Sequence, residues 1–185
     1  IVTTAVAGAP THSGFLASIK KYAQLNGAMV LLFPANYAIY DIDHELLVDS
    51  DIDIVFEPLK LNSNIALDPI KIDPKQIDPT IGLDAIGKRE GTVIIGSPKQ
   101  RRVSIANSSQ KLARIIQATG AITRPRYVPE DGVQKRRDRL AEEHHVMGAV
   151  IIEIVNDKLY HFRNVQMRKD GSFNDLFFNY SIRGK

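Results

Sequence analysis

The stretch Ile1-Val2-Thr3-Thr4-Ala5-Val6-Ala7-Gly8-Ala9-Pro10 and the later run Ala28-Met29-Val30-Leu31-Leu32-Phe33-Pro34 decide the fold. The first is short, apolar and β-branched before its Gly-Ala-Pro break, the pattern of a buried strand. The second is continuously apolar up to its proline. Between them Phe15, Leu16, Ile19 and Ala23 recur at helical spacing, with Lys20, Lys21 and Gln24 left for water. Thr11 is placed to cap that helix, and Asn26-Gly27 to end it, since glycine suits the left-handed cap position. Two apolar strands around an amphipathic helix make a βαβ unit with parallel strands.

Working outward, residues 51–56 partly alternate and predict a strand, and Thr92-Val93-Ile94-Ile95 predicts another. Asp68-Pro69, Asp73-Pro74 and Asp78-Pro79 recur every five residues and predict turns or one-turn helices, because Asp caps and Pro accepts the first helical position. Residues 107–119 read as a helix with Leu112, Ile115 and Ile116 inward, and residues 133–145 as a strongly charged one. Residues 149–155 and 159–167 are strands joined by Asn156-Asp157, which fits a two-residue hairpin turn. Asp170-Gly171 is a second hairpin signal, leading into residues 173–180. The expected class is therefore mixed α/β, an N-terminal βαβ unit with parallel strands followed by a C-terminal three-stranded antiparallel meander. Residues 1–185 read as a single domain. The start in mid-strand without methionine reads as a trimmed or processed N-terminus, and the stop soon after a strand as a chain that once continued, so a longer natural protein is expected.

Composition narrows the classes. The 185 residues are 44% hydrophobic and 24% charged, which excludes a disordered chain and a fibrous repeat. The absence of cysteine excludes a disulfide framework, a thiolate zinc site and a cysteine nucleophile. No apolar run approaches the ~20 residues that span a bilayer, so no membrane partner is expected.

The net charge of +3 says little, but its placement says more. Lys99, Arg101, Arg102, Lys111, Arg114, Arg124, Arg126, Lys135, Arg136, Arg137 and Arg139 crowd residues 97–139, opposed only by Glu130, Asp131 and Asp138. Such an excess suits a phosphate backbone, and arginine suits bidentate phosphate contacts. The alternative is a solvated surface paired with Glu142, Glu143 and the acidic run near Asp49. Tyr127 is the one aromatic residue there, so duplex fits better than a single strand read by stacking.

The histidines supply a second candidate site. Glu142-Glu143-His144-His145 closes the charged helix, and His161 and Arg163 share one face of a strand. With a two-residue turn, Ile152 faces His161 and Val150 faces Arg163. A His and an Arg among apolar neighbours need partners: a phosphate, a metal-bound water or a carboxylate such as Glu143 or Asp170. His144, His145, His161 and Asp170 are thus candidate ligands for manganese or magnesium, though their spacing matches no zinc signature; the bland reading is a satisfied structural cluster. His161, Arg163 and Glu143 are the candidate catalytic groups. His12, in the loop after the first strand, lies where open α/β sheets collect ligands, but a tight turn with a capping Thr is the favoured reading. The acidic stretch with Asp41, Asp43, Asp51 and Asp53 lacks the glycine and spacing of a calcium loop and reads as solvated.

Six segments stand in this order: Asp73-Pro74-Lys75-Gln76-Ile77-Asp78-Pro79, Gly96-Ser97-Pro98-Lys99-Gln100, Ala118-Thr119-Gly120-Ala121-Ile122-Thr123, Glu142-Glu143-His144-His145, His161-Phe162-Arg163-Asn164-Val165-Gln166 and Lys169-Asp170-Gly171-Ser172-Phe173. In these the chain resembles the N-terminal part of large tailed-phage proteins that carry a calcineurin-like metallophosphoesterase domain further on, some of which degrade or help transfer DNA. The resemblance implies a phage protein acting on DNA in the cytoplasm of an infected host cell. The metal motifs of that phosphoesterase (Asp-x-His, Gly-Asp, Gly-Asn-His, Gly-x-His) do not occur in these residues. It therefore implies a two-metal centre beyond Lys185, with this chain as a nuclease's DNA-guiding part. The competing class is a non-enzymatic domain that forms homo-oligomers, acidic stretch near Asp49 against basic stretch near Arg137. A nucleotide-binding reading of the His12 loop rests on the βαβ pattern alone.

Overall fold

The computed structural model describes residues 1–35, 42–106, 113–127 and 132–185, and shows a mixed α/β fold. Strand β1 (Val2–Ala5), helix α1 (Ser13–Asn26) and strand β2 (Val30–Pro34) form the expected parallel βαβ unit, with Val2 opposite Leu31. Gly27 ends α1 at φ 60, ψ 35. The N-cap is His12 rather than Thr11: its Nδ1 accepts the Phe15 N–H at 3.1 Å.

A short helix α2 (His44–Leu47) leads to β3 (Ile52–Ile54), parallel to β2. On the other flank, β9 (Gly148–Ile154) runs antiparallel to β1, and β10 (Tyr160–Gln166) antiparallel to β9. The first sheet is therefore ordered β10-β9-β1-β2-β3.

The second sheet is ordered β4-β5-β6-β8-β7 and comprises β4 (Leu59–Lys60), β5 (Ile65–Asp68), β6 (Thr92–Ile95), β7 (Arg102–Ile105) and β8 (Arg114–Ala118). Helix α3 (Asp84–Glu90) precedes β6, and α4 (Arg136–Glu143) precedes β9. Residues 114–118, expected as helix, are strand β8, lying between β6 and β7. Residues 107–112 of that expected helix lie outside the described residues.

Why both apolar runs are continuous is now plain. Leu31, Phe33, Val2 and Val150 of the first sheet pack against Ile65, Leu67 and Ile94 of the second. The opposite face of the first sheet, through Leu32, Val30 and Ile151, is covered by Phe15, Ile19 and Tyr22 of α1. Val93, Ile95 and Ile116 cover the outer face of the second sheet with Ile86 of α3. Helix, sheet, sheet, helix is the layer order, so inner strands are buried on both faces.

One segment stitches the sheets together. After β8 the chain leaves the second sheet and enters the first between β1 and β9: Ala121 bridges both Thr4 and Met147. Ile122 N–H donates to Thr4 O at 2.8 Å and Gly148 N–H to Ala121 O at 3.0 Å. Gly96 lets the sheets approach here, since a Cβ on it would sit 2.5 Å from Phe33 Cβ.

The C-terminal strands succeed one another antiparallel as expected. The third meets β10 only through Met167 opposite Phe173, then pairs as β11 (Phe173–Asp175) with β12 (Phe178–Tyr180). That hairpin lies on α1, with Tyr22 and Tyr180 rings 4.6 Å apart.

The β9–β10 connection is longer than two residues. Ile154 faces Tyr160, and Asn156 Oδ1 accepts the N–H groups of Lys158 and Leu159 at 2.9 Å. Side chains of Asn62, Ser63 and Asn64 hold the loop carbonyls. The register therefore slips by one, and His161 faces Glu153 while Arg163 faces Ile151.

Candidate nucleic-acid interface

The expected histidine cluster does not assemble. His145 stands at the start of β9, by the carboxyl end of β1; His161 stands at the opposite end of the sheet, exposed beside Glu153. His144 is exposed just past α4, and Asp170 caps a turn by accepting from the Ser172 N–H and hydroxyl. Among the described residues no three His, Cys, Asp or Glu side chains group as a metal site. Glu143 is exposed at the end of α4.

Arg163, expected to steady a developing charge, is a structural clamp. Its Nε and Nη2 both bind the Asp175 carboxylate, the latter at 2.7 Å, and Nη2 also reaches Glu153 at 2.7 Å. Tyr22 Oη donates to the same Asp175 at 2.7 Å. These bonds raise the Arg163 pKa. Burial pushes Asp175 up, but Arg163 and Tyr22 outweigh it and hold the carboxyl below its ordinary range.

His145 is likewise engaged. Its Nε2 lies 2.8 Å from Thr123 O and must donate, so Nδ1 accepts from Tyr127 Oη at 2.8 Å. Tyr127 Oη in turn accepts from Lys99 Nζ at 3.0 Å. Lys99 Nζ also donates to Pro74 O at 2.7 Å and Ala141 O at 3.0 Å, using all three protons. Lys99 is therefore fully buried and not a surface contact. Burial lowers its pKa to about 8 and that of His145 to about 4, and raises that of Tyr127. Beside it Gln100 Nε2 faces the carbonyls of Thr119, Ala149 and Val165 at 3.0, 3.2 and 3.0 Å. Neither Gln100 nor Tyr127 stands out in sequence; the signal was the Gly96-to-Gln100 motif itself.

This hub joins two exposed arginine segments at the carboxyl end of β1. One is Arg124-Pro125-Arg126, next to Tyr127. Its Arg124 N–H donates to Pro10 O at 2.9 Å and Arg126 Nη1 to Gly8 O at 2.8 Å. The other is α4, whose Ala141 carbonyl holds Lys99. On α4, Arg136 and Arg139 are three apart and so share a stripe, with Glu143 one turn beyond. Lys135, at the helix start, is exposed too.

The remaining expected contacts are spent or elsewhere. Arg137 pairs with Asp73 at 2.7 Å and Arg101 with Asp78 at 3.2 Å. Lys75 pairs with Asp138 at 2.5 Å. The partners are thus the Asp-Pro repeats, while Asp49 and Asp51 hold Lys20 at 2.8 and 2.7 Å. Arg102 lies 4.8 Å over the Phe162 ring on an edge strand. Arg114 binds Lys88 O at the far end of the second sheet. Lys111 and Asp41 lie outside the described residues. Among those residues Arg124, Arg126, Arg136 and Arg139 have no carboxylate partner.

No family model, no curated protein and no solved structure matches the chain. Among the described residues no helix is long and apolar enough to cross a membrane.

Proposed function

We propose that this chain binds the phosphate backbone of duplex DNA through Arg124, Arg126, Lys135, Arg136 and Arg139, as the DNA-guiding part of a metal-dependent phosphodiesterase. The observation that carries the reading is the buried Lys99–Tyr127–His145 chain, which ties the exposed segments bearing Arg124, Arg126, Arg136 and Arg139 to one hub. The hub positions the backbone of both segments, so that binding has to order only the exposed arginine side chains. Tyr127 points inward, so no stacking platform is offered, which favours duplex over single strand. The resemblance to tailed-phage phosphoesterase proteins supports the same reading.

The test is fluorescence anisotropy with labelled duplex DNA at several salt concentrations. About five phosphate contacts give a slope of roughly −4 to −5 in log affinity against log salt. Replacing Arg124, Arg126, Arg136 and Arg139 by Ala is expected to cut the slope to about −1, the share of Lys135; an unchanged slope sinks the assignment. Adding manganese to the same mixture is expected to leave the DNA uncut. Cleavage that EDTA stops would move the chemistry into these residues and refute the guiding role.

A further inference from the structure

Two of the Asp-Pro repeats hold arginines that border the basic surface. Asp73 pairs with Arg137, which stands on α4 between Arg136 and Arg139, and Asp78 pairs with Arg101, two residues past Lys99. Each pair is a single contact: Arg137 Nη2 donates to Asp73 Oδ2 at 2.7 Å and Arg101 Nη2 to Asp78 Oδ2 at 3.2 Å. The two arginine side chains are 63% and 56% exposed. An exposed pair of this kind contributes little to stability, and a guanidinium binds better to an anion that it grips with two nitrogens.

The carboxylates, by contrast, are held in place without the arginines. Asp73 Oδ1 accepts the Lys75 N–H at 2.8 Å, and Asp78 Oδ1 accepts the Thr80 N–H at 3.0 Å and the Thr80 hydroxyl at 2.6 Å. The segment is also tied to the hub. Pro74 O accepts from Lys99 Nζ at 2.7 Å, and Lys75 pairs with the buried Asp138 of α4 at 2.5 Å. In each pair the carboxylate is therefore stationary, and the long, singly bonded arginine is the partner free to change its anion. An asparagine would close the same turns, so the turns do not need the charge.

We propose that Asp73 and Asp78 mask Arg137 and Arg101 in the free chain, each carboxylate standing in for a backbone phosphate, so that the chain's own acid groups hold its affinity for duplex DNA below what its arginines could reach. The inference rests on the DNA reading and adds two reserve contacts to it. A guiding surface has to release its duplex, and a smaller count of phosphate contacts favours release.

Fluorescence anisotropy of the full chain with labelled duplex DNA, at several salt concentrations, tests the mask with Asp73→Asn and Asp78→Asn combined. Two added phosphate contacts are expected to steepen the salt slope by about 2 and to raise affinity on the order of tenfold or more. Asparagine keeps the turn acceptors, so the melting temperature is expected to stay close to that of the wild type. Adding Arg101→Ala and Arg137→Ala to the unmasked chain is expected to restore the wild-type slope, whereas the same two changes in the wild type leave the slope where it was. A gain that survives without the two arginines overturns the mask, as do arginine effects of equal size in both backgrounds. If the wild type binds with the expected slope and the unmasked chain binds no tighter, the mask falls and the DNA reading stands. If neither chain binds DNA, both fall.

Discussion

Where β1, β2 and β6 end, the chain buries a lysine, a tyrosine, a histidine and a glutamine and turns arginines outward. Where the same strands begin, it leaves leucine, methionine and phenylalanine side chains in water. The difference follows from what each end must satisfy. At the first, a segment crosses between sheets, and its carbonyls and those of Pro74, Ala141, Ala149 and Val165 need donors away from solvent. Lys99 and Gln100 supply them. At the second, the hairpin is held by the Arg163–Asp175 ion pair, the Tyr22 hydroxyl and the packing of Phe173 and Tyr180 on α1. The first end is rigid and polar inside; the second is a fastened flap with an apolar tip.

That contrast can be broken at chosen residues. The largest effect is expected from Arg163→Ala, which leaves Asp175 buried without its partner and costs about 3 kcal/mol. Chemical denaturation reads the loss. DNA affinity measured under folding conditions should hold, because the clamp belongs to the other end.

An effect of similar size is expected from acid. His145 titrates at about 4 in the fold against an ordinary 6.5, so the folded state stays neutral while the unfolded state takes up a proton. Stability is complete above pH 6.5 and falls as pH drops towards 4, by about 3 kcal/mol. Lys99 works in another window: between about 8 and 10.5 the fold has released a proton that the unfolded chain retains, so stability rises with pH there. Denaturation midpoints across pH for the wild type and His145→Gln check the acid arm, which the variant should flatten.

Gly96→Ala sharpens the claim that the sheets meet closely at the polar end. Its Cβ would meet Phe33 Cβ, which cannot swing away, and a loss of about 2 kcal/mol is expected in thermal melts. The smallest effect is a gain: Leu176→Gly relieves the left-handed turn and should stabilise by about 1 kcal/mol in the same melts.

How much was legible follows from how local each cause is. The βαβ unit was readable because burial on both faces writes itself as unbroken apolar runs. Residues 114–118 were misread because Leu112, Ile115 and Ile116 satisfy a helical spacing, while strand identity is decided by β6 and β7 on either side. The β9–β10 register escaped because loop length is set by the Asn156 side chain and by Asn62, Ser63 and Asn64, more than ninety residues away. For the same reason a lysine within a basic run looked like surface: the acceptors that bury Lys99 lie on three separate segments. A carboxylate partner for Arg163 was anticipated, but Asp175 became it only because the hairpin folds back beside β10.

Backbone amide NMR of the chain titrated with duplex DNA tests the division of labour most directly. Shifts confined to residues 124–126 and 135–139, with residues 25–29 and 176–178 unmoved, are the expected result. Shifts centred on the Leu176–Phe177 tip, or none at saturating DNA, would contradict it.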